Sequence, residues 1–282
     1  MRYDTELVPV CKASRICVLR RRENREHGGT QVAKSIWALA DDGSVRCQHK
    51  LPDTGETVPY FSFFDQEKVS LAASLDEIVL RFHAANWGDF PASETKTTWV
   101  SYIFASDVEA GAFQSAVYGR SLLGYFRTIK TTVIHEGFKG AFSFEEQFAN
   151  IDMLRLWEED GLATPGAQGG VLALMHMSSN FGEGWASWWM NNSKQHVRVR
   201  EDGPKSAKIK GIDIAVPGSV AVVSRRSGSI TGGGLQRVPS SKPAMRRVDG
   251  INVEFKTTKE RDAFVALSKR IQEKMLPLPN NV

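Results

Sequence analysis

Two stretches of the chain can be laid over each other without a gap: Phe104-Ala-Ser-Asp-Val-Glu-Ala-Gly-Ala-Phe113 and Phe255-Lys-Thr-Thr-Lys-Glu-Arg-Asp-Ala-Phe264. Each begins at the end of an alternating apolar run, which is typical of a strand, and continues with helical periodicity. Each also places a hydroxyl residue three positions before a glutamate, the capping box that begins a helix. The repeated strand–helix junction predicts two copies of one β-rich unit, each ending in a helix.

Short apolar runs of period two precede both junctions, and turn residues separate them. The runs are rich in β-branched and aromatic residues, which favour strands. In the first half the predicted strands are 14–20, 35–39, 44–49, 60–64, 69–71, 77–82 and 98–104. In the second half they are 154–157, 171–176, 185–190, 196–200, 207–210 with 212–216, 220–223 and 251–255.

One amphipathic helix is predicted after each set of strands. The first begins at the Ser106-Asp107 cap and runs to about Leu123, and the second spans roughly 259–275 before Pro277 and Pro279. The predicted buried face of the first helix carries Val108, Ala112, Phe113, Ala116 and Val117. The predicted buried face of the second carries Phe264, Leu267 and Ile271.

Seven short antiparallel strands closed by a C-terminal amphipathic helix, entered through such a junction, resemble the pleckstrin-homology (PH) superfold. The stretch 250–267 is the better match, whereas the amino-terminal copy has Gly111 and Tyr118 in place of a Trp-centred helix face. The resemblance implies a mainly β fold with α: two PH-like seven-stranded β-barrels or sandwiches. The superfold hosts lipid, peptide and chromatin binders, so it does not fix the function.

The predicted organisation is domain 1 over 10–123, a connector over 124–150 and domain 2 over 151–276, with a long basic loop at 224–248. Phe138, Phe142, Phe144 and Phe148 recur near helical spacing in the connector, which predicts a partly helical segment packed between the domains.

Composition favours an ordinary globular protein: 282 residues, 41% hydrophobic and 24% charged. The sequence has no run of 18 apolar residues and its amino terminus lacks the apolar core of a signal peptide. Three cysteines without a C-x-x-C pair favour free thiols in a reducing compartment. We therefore expect a cytoplasmic protein, peripheral at membranes in one version of the hypothesis, with a nuclear location as the alternative.

The net charge of +4 is distributed unevenly. Basic and acidic residues balance over 1–130, whereas 193–247 carries 12 Lys and Arg against three acids. Such a local field favours polyanions: acidic lipid headgroups, acidic protein segments or nucleic acid, the last being less favoured here. A basic surface with no dedicated partner is the competing interpretation.

The resemblance implies one candidate anion site in the amino-terminal copy, because lipid-binding PH domains grip phosphates with basic side chains of the first strands. Its candidate residues are Arg20, Arg21, Arg22, Arg25, Lys34, Arg46 and Lys50. The family pattern also places an arginine two residues after Lys34, where this chain has Ile36. The competing interpretation is a solvated loop balanced by Glu23 and Glu26.

A second candidate anion surface lies on middle strands of the carboxy-terminal copy. Period two places Arg198 and Arg200 on one face of their strand, and Lys208 and Lys210 on one face of theirs. This pattern predicts a flat basic surface rather than a pocket. It would suit an anionic membrane, an acidic peptide or DNA phosphates, with strong salt dependence.

No catalytic or metal-binding motif is found in the sequence. The six histidines form neither H-x-x-x-H nor H-E-x-x-H, and no G-x-S-x-G is present. We therefore expect a protein that is not an enzyme and has no cofactor or metal. The predicted function is a binding or scaffolding module at an anionic surface, most simply a phosphoinositide-containing membrane. The alternative is a protein-interaction or histone-binding double PH module.

Overall fold

The computed structural model describes residues 9, 12–13, 15–24, 30–51, 57–72, 78–82, 94–134, 146–159, 169–179, 182–217 and 245–279. The chain divides into two compact units, Met1–Arg120 and Ser121–Val282. Strands dominate both units and each contains one described helix, so the expected mainly β class with α is confirmed. Neither described helix is long and apolar enough to cross a membrane.

The first unit contains eight described strands and one helix. The strands are β1 (Arg15–Asn24), β2 (Thr30–Leu39), β3 (Val45–Lys50), β4 (Tyr60–Phe61), β5 (Lys68–Ala72), β6 (Ile78–Phe82), β7 (Glu94–Thr97) and β8 (Trp99–Ile103), and the helix is α1 (Asp107–Tyr118). They form a five-stranded sheet in the order β1-β2-β3-β6-β7 and a three-stranded sheet in the order β4-β5-β8. The seven predicted runs each overlap a strand, and β7 is additional.

The second unit is built on one larger sheet followed by a helix. Its strands are β9 (Ser121–Val133), β10 (Gln147–Ala149), β11 (Asp152–Glu158), β12 (Val171–Ser179), β13 (Gly182–Trp189), β14 (Arg198–Glu201), β15 (Ser206–Pro217) and β16 (Met245–Phe255), and the helix is α2 (Thr258–Gln272). The strand order is β13-β12-β11-β9-β16-β15-β14, with β10 beside β9. All pairings between these strands are antiparallel. The predicted strand 220–223 lies outside the described residues.

The two helices begin where the capping boxes predict. Ser106 Oγ accepts the Glu109 N–H at 3.3 Å, and Thr257 Oγ1 accepts the Glu260 N–H at 3.1 Å. The α2 helix packs Phe264 and Ile271 into the core of the second unit, with Leu267 partly buried against it. Phe264 lies 5.2 Å from Phe255 between ring centroids, so the repeated aromatic pair closes the sheet as expected.

Two features of the predicted first helix are corrected. It ends at Tyr118 rather than Leu123, because Gly119 adopts the left-handed conformation (φ +82°) that terminates helices. Its buried residues are Ala110, Phe113, Gln114, Val117 and Tyr118. The helix is therefore turned relative to the prediction: Val108 and Ala112 are exposed, although Phe113 and Val117 are buried as expected.

The predicted connector over 124–150 is wrong in its described part. Residues 121–133 form β9, which pairs with β11 and β16 near the middle of the second sheet, and 147–149 form β10. Phe148 is fully buried in the core of the second unit itself. The second unit therefore begins at about Ser121 rather than 151. Phe138, Phe142 and Phe144 lie outside the described residues.

Candidate anion-binding surface

The β14–β15 hairpin carries the candidate surface of the second unit, and its alternation explains why the two strands form. Ala207 and Ile209 of β15 are fully buried and Val199 of β14 packs against the same core. Because neighbouring residues of a strand face opposite sides, the basic residues between them face outward. Arg198 and Arg200 are exposed, and Lys208 and Lys210 are partly exposed.

Register brings the four cations together. Arg198 pairs with Lys210 and Arg200 pairs with Lys208 across the antiparallel ladder. Residues directly opposite each other have Cβ atoms roughly 4.5–5.5 Å apart, so the four side chains rise from one small area. The sequence predicted each pair of cations on its own strand, and the structure places both pairs on one shared face.

Two like-charge pairs in succession destabilise a hairpin unless anions lie close by. Asp202 supplies part of that compensation: its Oδ2 lies 4.0 Å from Lys208 Nζ and also accepts the Asn252 amide at 2.9 Å. Glu201 faces elsewhere, because its carboxylate binds Arg261 Nη1 of α2 at 2.8 Å. The hairpin thus keeps a surplus of exposed positive charge.

The basic face continues onto the neighbouring strands as a shallow polar surface. Lys208 pairs with Asn252 of β16, and Lys210 pairs with Gly250. Asn252 pairs in turn with Thr132 of β9. The uncharged Asn252 and Gly250 therefore border the basic row, and the exposed Glu254 lies two residues along β16 from Asn252. The four cations lie on an open surface rather than in a cleft.

Gly211 marks the end of the basic row. Its φ of +80° and the register shift between Lys210 and Ile214 indicate a bulge in β15. A Cβ there would lie 2.2 Å from the His196 carbonyl oxygen, so only glycine fits. Beyond the bulge, Arg247 is hydrogen-bonded to Asp213, which raises the pKa of the arginine. Arg247 is therefore already engaged.

The amino-terminal candidate residues do not assemble into one pocket. Arg20 pairs with Lys34 on one face of the β1–β2 ladder, and Arg20 Nη2 donates to the Ala116 carbonyl oxygen of α1 at 3.1 Å. A Cβ on Gly119 would lie 3.2 Å from Arg20 Nη2 and 4.0 Å from Lys34 Nζ. These two cations therefore lie at the C-terminal end of α1, where positive charge offsets the helix dipole.

The remaining basic residues of that set are divided between the two faces of the sheet. Arg22 shares the face of Arg20, whereas Arg21 lies on the opposite one because consecutive strand residues alternate. Arg46 and Lys50 alternate with the buried Cys47 and His49. They therefore share the face opposite to Arg20 and Lys34, since Ile36, on the face of Lys34, pairs with His49. Arg25 lies outside the described residues.

The sequence did not single out two ionisable groups, His49 and Asp152, whose pKa values the fold shifts. Burial lowers the pKa of His49 to about 4, and its Nδ1 lies 2.7 Å from the Tyr102 hydroxyl. Burial raises the pKa of Asp152 to about 6, although its Oδ2 accepts the His176 backbone N–H at 2.6 Å. His49 follows the ordinary alternation of β3, and Asp152 lies at the first position of β11, ahead of five consecutive buried residues. The sequence pattern therefore does not indicate either pKa shift.

The buried tryptophan cluster of the second unit does not extend the surface. Trp188 and Trp189 are buried, and the guanidinium carbon of the buried Arg155 lies 5.0 Å from the ring centroid of Trp185 and 5.6 Å from that of Trp157. Such contacts stabilise a cation away from water. Across the described ranges, no group of three or more His, Cys, Asp and Glu residues is placed to hold a metal ion.

Comparison of the chain with models of protein families, with curated proteins and with solved structures finds no match.

Proposed function

We propose that this chain is a non-catalytic binding module that associates with an anionic membrane surface through the outer face of the β14–β15 hairpin. The observation that carries the proposal is the register that pairs Arg198 with Lys210 and Arg200 with Lys208. Four cations on one open face match the charge of a lipid surface, whereas a single headgroup would need converging side chains.

The free energy that four basic residues can supply indicates how tightly the chain should bind a membrane. Each basic residue near an anionic membrane contributes about 1 kcal/mol, so four contribute at most about 4 kcal/mol, because Asp202 partly offsets the charge of Lys208. That free energy corresponds to a dissociation constant of roughly 1 mM. We therefore expect reversible, salt-sensitive association that depends on the density of negative lipid. Selectivity among phosphoinositide isomers is not expected from this face, because isomer selection requires a shaped pocket.

The PH-like assignment is part of the same proposal. Seven antiparallel strands on one continuous path, followed by a capped C-terminal helix, support it for the second unit. The first unit shares the strand–helix junction but has eight described strands in two sheets, so its support is limited to the junction. The location that fits this function is the cytoplasm, at the periphery of a membrane.

An acidic protein segment would satisfy the same cations and is the competing partner. The histone alternative is disfavoured at this surface, because a basic tail and a basic face repel each other. Salt dependence alone does not separate lipid from acidic protein, so the experiment has to present lipid directly.

Co-sedimentation with vesicles tests the proposal. The full chain is mixed with phosphatidylcholine vesicles containing phosphatidylserine or single phosphoinositides, at low and physiological salt. We expect binding that rises with negative lipid, falls with salt and is lost in the Arg198→Ala/Arg200→Ala variant. The matched control, Arg21→Ala/Arg22→Ala, removes the same charge from exposed positions of the first unit and should bind like the wild type.

Two outcomes would contradict the proposal. Equal binding by the Arg198→Ala/Arg200→Ala variant would place the lipid contact elsewhere. Absence of vesicle binding, together with binding of a poly-glutamate peptide that the same variant loses, would assign the surface to an acidic protein partner.

A further inference from the structure

Three strongly exposed apolar side chains lie at one end of the first unit. Phe64 is 82% exposed, Ile103 is 70% exposed and Val108 is 76% exposed, and we call them the apolar tip. They are the three most exposed large hydrophobic residues in the part of the chain that the structure describes. The sequence predicted Val108 in the core, so its exposure follows only from the rotation of α1.

Hydrogen bonds hold the segments that carry the tip against one another. Phe64 lies in the turn between β4 and β5, where Ser62 Oγ accepts the Asp65 N–H at 3.1 Å and Asp65 Oδ1 accepts the Glu67 N–H at 3.2 Å. The Phe104 N–H donates to the Glu67 carbonyl at 2.9 Å, which joins this turn to the end of β8.

The other two residues of the tip, Ile103 and Val108, lie on either side of the junction between β8 and α1. Ile103 pairs with Lys68 on the neighbouring strand β5. Val108 lies in the first turn of α1, whose start is fixed by the Ser106 cap. The tip is thus a preformed surface rather than three loose side chains.

Exposure of this kind is costly and points to a partner. Burial of a large apolar side chain against a partner is favourable, and exposed apolar residues grouped together mark interaction sites more often than scattered ones. An exposed phenylalanine is the kind of aromatic anchor that contributes much of the free energy of binding at interfaces.

The charges around the tip indicate the chemistry of that partner. Acidic residues adjoin Phe64 and Val108 in the chain, and Ile103 lies opposite Lys68, which follows Glu67 and is the one basic residue beside the tip in these described segments. The acidic residues are Asp65, Glu67, Asp107 and Glu109. An anionic membrane would be repelled by this arrangement, although the apolar residues alone would suit a lipid surface.

We propose that the apolar tip is a docking site for a basic peptide segment of another protein, with apolar side chains placed on Phe64, Ile103 and Val108 and its lysines or arginines facing the acidic residues. The tip takes a basic partner, whereas the β14–β15 surface takes an anionic one, and docking at the tip does not depend on the proposed lipid binding. It would make the chain an adaptor between an anionic surface and a basic protein.

Fluorescence anisotropy with the full chain and a short labelled peptide of alternating lysine and leucine tests this inference. We expect saturable binding that weakens about tenfold or more in Phe64→Ser/Ile103→Ser, as is usual when aromatic and aliphatic anchors are removed. Val108→Ser and Glu67→Gln should each weaken it by a smaller factor. The control Ile151→Ser changes an apolar residue that is 48% exposed on the second unit and should leave binding unchanged.

Three results would overturn the inference: no binding of the lysine–leucine peptide, equal binding by Phe64→Ser/Ile103→Ser, or equal affinity for a glutamate–leucine peptide. Loss of binding to uncharged phosphatidylcholine vesicles in that variant, without loss of peptide binding, would identify a membrane anchor instead. Circular dichroism confirms that the variants are folded, as expected for substitutions at exposed positions.

Discussion

His49 and Asp152 show how single buried groups couple each unit to pH. His49 lies on the core side of β3, where burial holds its imidazole neutral and Tyr102 stacks parallel to it with a centroid distance of 6.2 Å. Asp152 lies at the start of β11, where burial favours its neutral form. The two pKa shifts have opposite effects on the pH dependence of stability. Between its folded and unfolded pKa values, His49 releases a proton on folding, whereas Asp152 takes one up.

The His49 shift predicts acid destabilisation of the first unit. The imidazole titrates near 6.5 in the unfolded chain and near 4 in the folded one, so the unfolded chain binds more protons between these values. Stability present above pH 6.5 is lost as the pH falls towards 4, by about 3 kcal/mol. Urea unfolding followed by hydrogen exchange of first-unit peptides measures it, and His49→Asn should flatten the slope. An unchanged slope in that variant would contradict the assignment.

The Asp152 shift predicts the opposite behaviour in the second unit. The folded pKa of about 6 exceeds the ordinary value of 3.8, so the native state binds more protons between them. The contribution of this group is present at pH 4 and is lost as the pH rises through 6, again by about 3 kcal/mol. Asp152→Asn should therefore stabilise the second unit at pH 8 relative to the wild type.

The same hydrogen-exchange measurement on second-unit peptides tests the Asp152 prediction. Asparagine retains an acceptor oxygen for the His176 N–H, so the comparison isolates the charge. If Asp152→Asn destabilises the unit equally at pH 4 and pH 8, its role is in hydrogen bonding alone.

At the scale of elements, the strand–helix junction determines where each unit closes. In the second copy Thr257 Oγ1 also donates to Glu260 Oε2 at 2.9 Å, and Glu260 Oε1 accepts Arg127 Nε at 2.7 Å. Burial raises the pKa of Glu260, but the hydrogen bonds from Arg127 and Thr257 outweigh it and the net shift is downward. The cap of α2 is therefore joined to β9, whereas Glu109 of α1 accepts the N–H of the nearby Ala105.

This difference predicts unequal effects of removing the two caps. Ser106→Ala should cost about 1 kcal/mol, the usual value for a lost N-cap. Thr257→Ala should cost more, about 2 kcal/mol, because it also removes a hydrogen bond that orients the carboxylate bound to Arg127. Urea unfolding measures both, with Thr257→Ser as the control that keeps the hydroxyl. Equal costs would show that the link to β9 adds nothing.

The elements also show what could be predicted from the sequence. Period two and turn residues located most strands, and the capping boxes located both helix starts. The strand β9 was missed because the apolar pattern of α1 continues past Gly119 to Leu123, and only the left-handed glycine separates helix from strand. Without β9 the pairing of first and last strands of the second unit could not be foreseen.

Register explains the different outcomes at the two candidate anion sites. Arg20, Arg21 and Arg22 are consecutive, so the three could not all lie on one face of a strand. Arg198 and Arg200 are two residues apart, so both could lie on one face of their strand. That Lys210 and Lys208 lie opposite them depends on the length of the turn between β14 and β15, which the composition of the strands does not specify.

At the scale of the whole molecule, the two units carry surfaces of opposite character. The second unit presents a basic hairpin face and the first presents an apolar tip flanked by acids. The basic face lies on two paired strands, and the apolar tip lies on a hydrogen-bonded turn, a strand end and a capped helix start, so each surface is preorganised for binding. Under the two proposals made above, a chain with these surfaces would bridge two partners.

The most direct test of the lipid-binding account resolves individual arginines. Side-chain Nε–Hε signals are recorded by NMR for the full chain while phosphatidylserine-containing nanodiscs are added. The account predicts that the signals of Arg198 and Arg200 shift or broaden with lipid, and that those of Arg20, bound to α1, and Arg21 do not. Perturbation of Arg20 and Arg21 with Arg198 and Arg200 unchanged would contradict it.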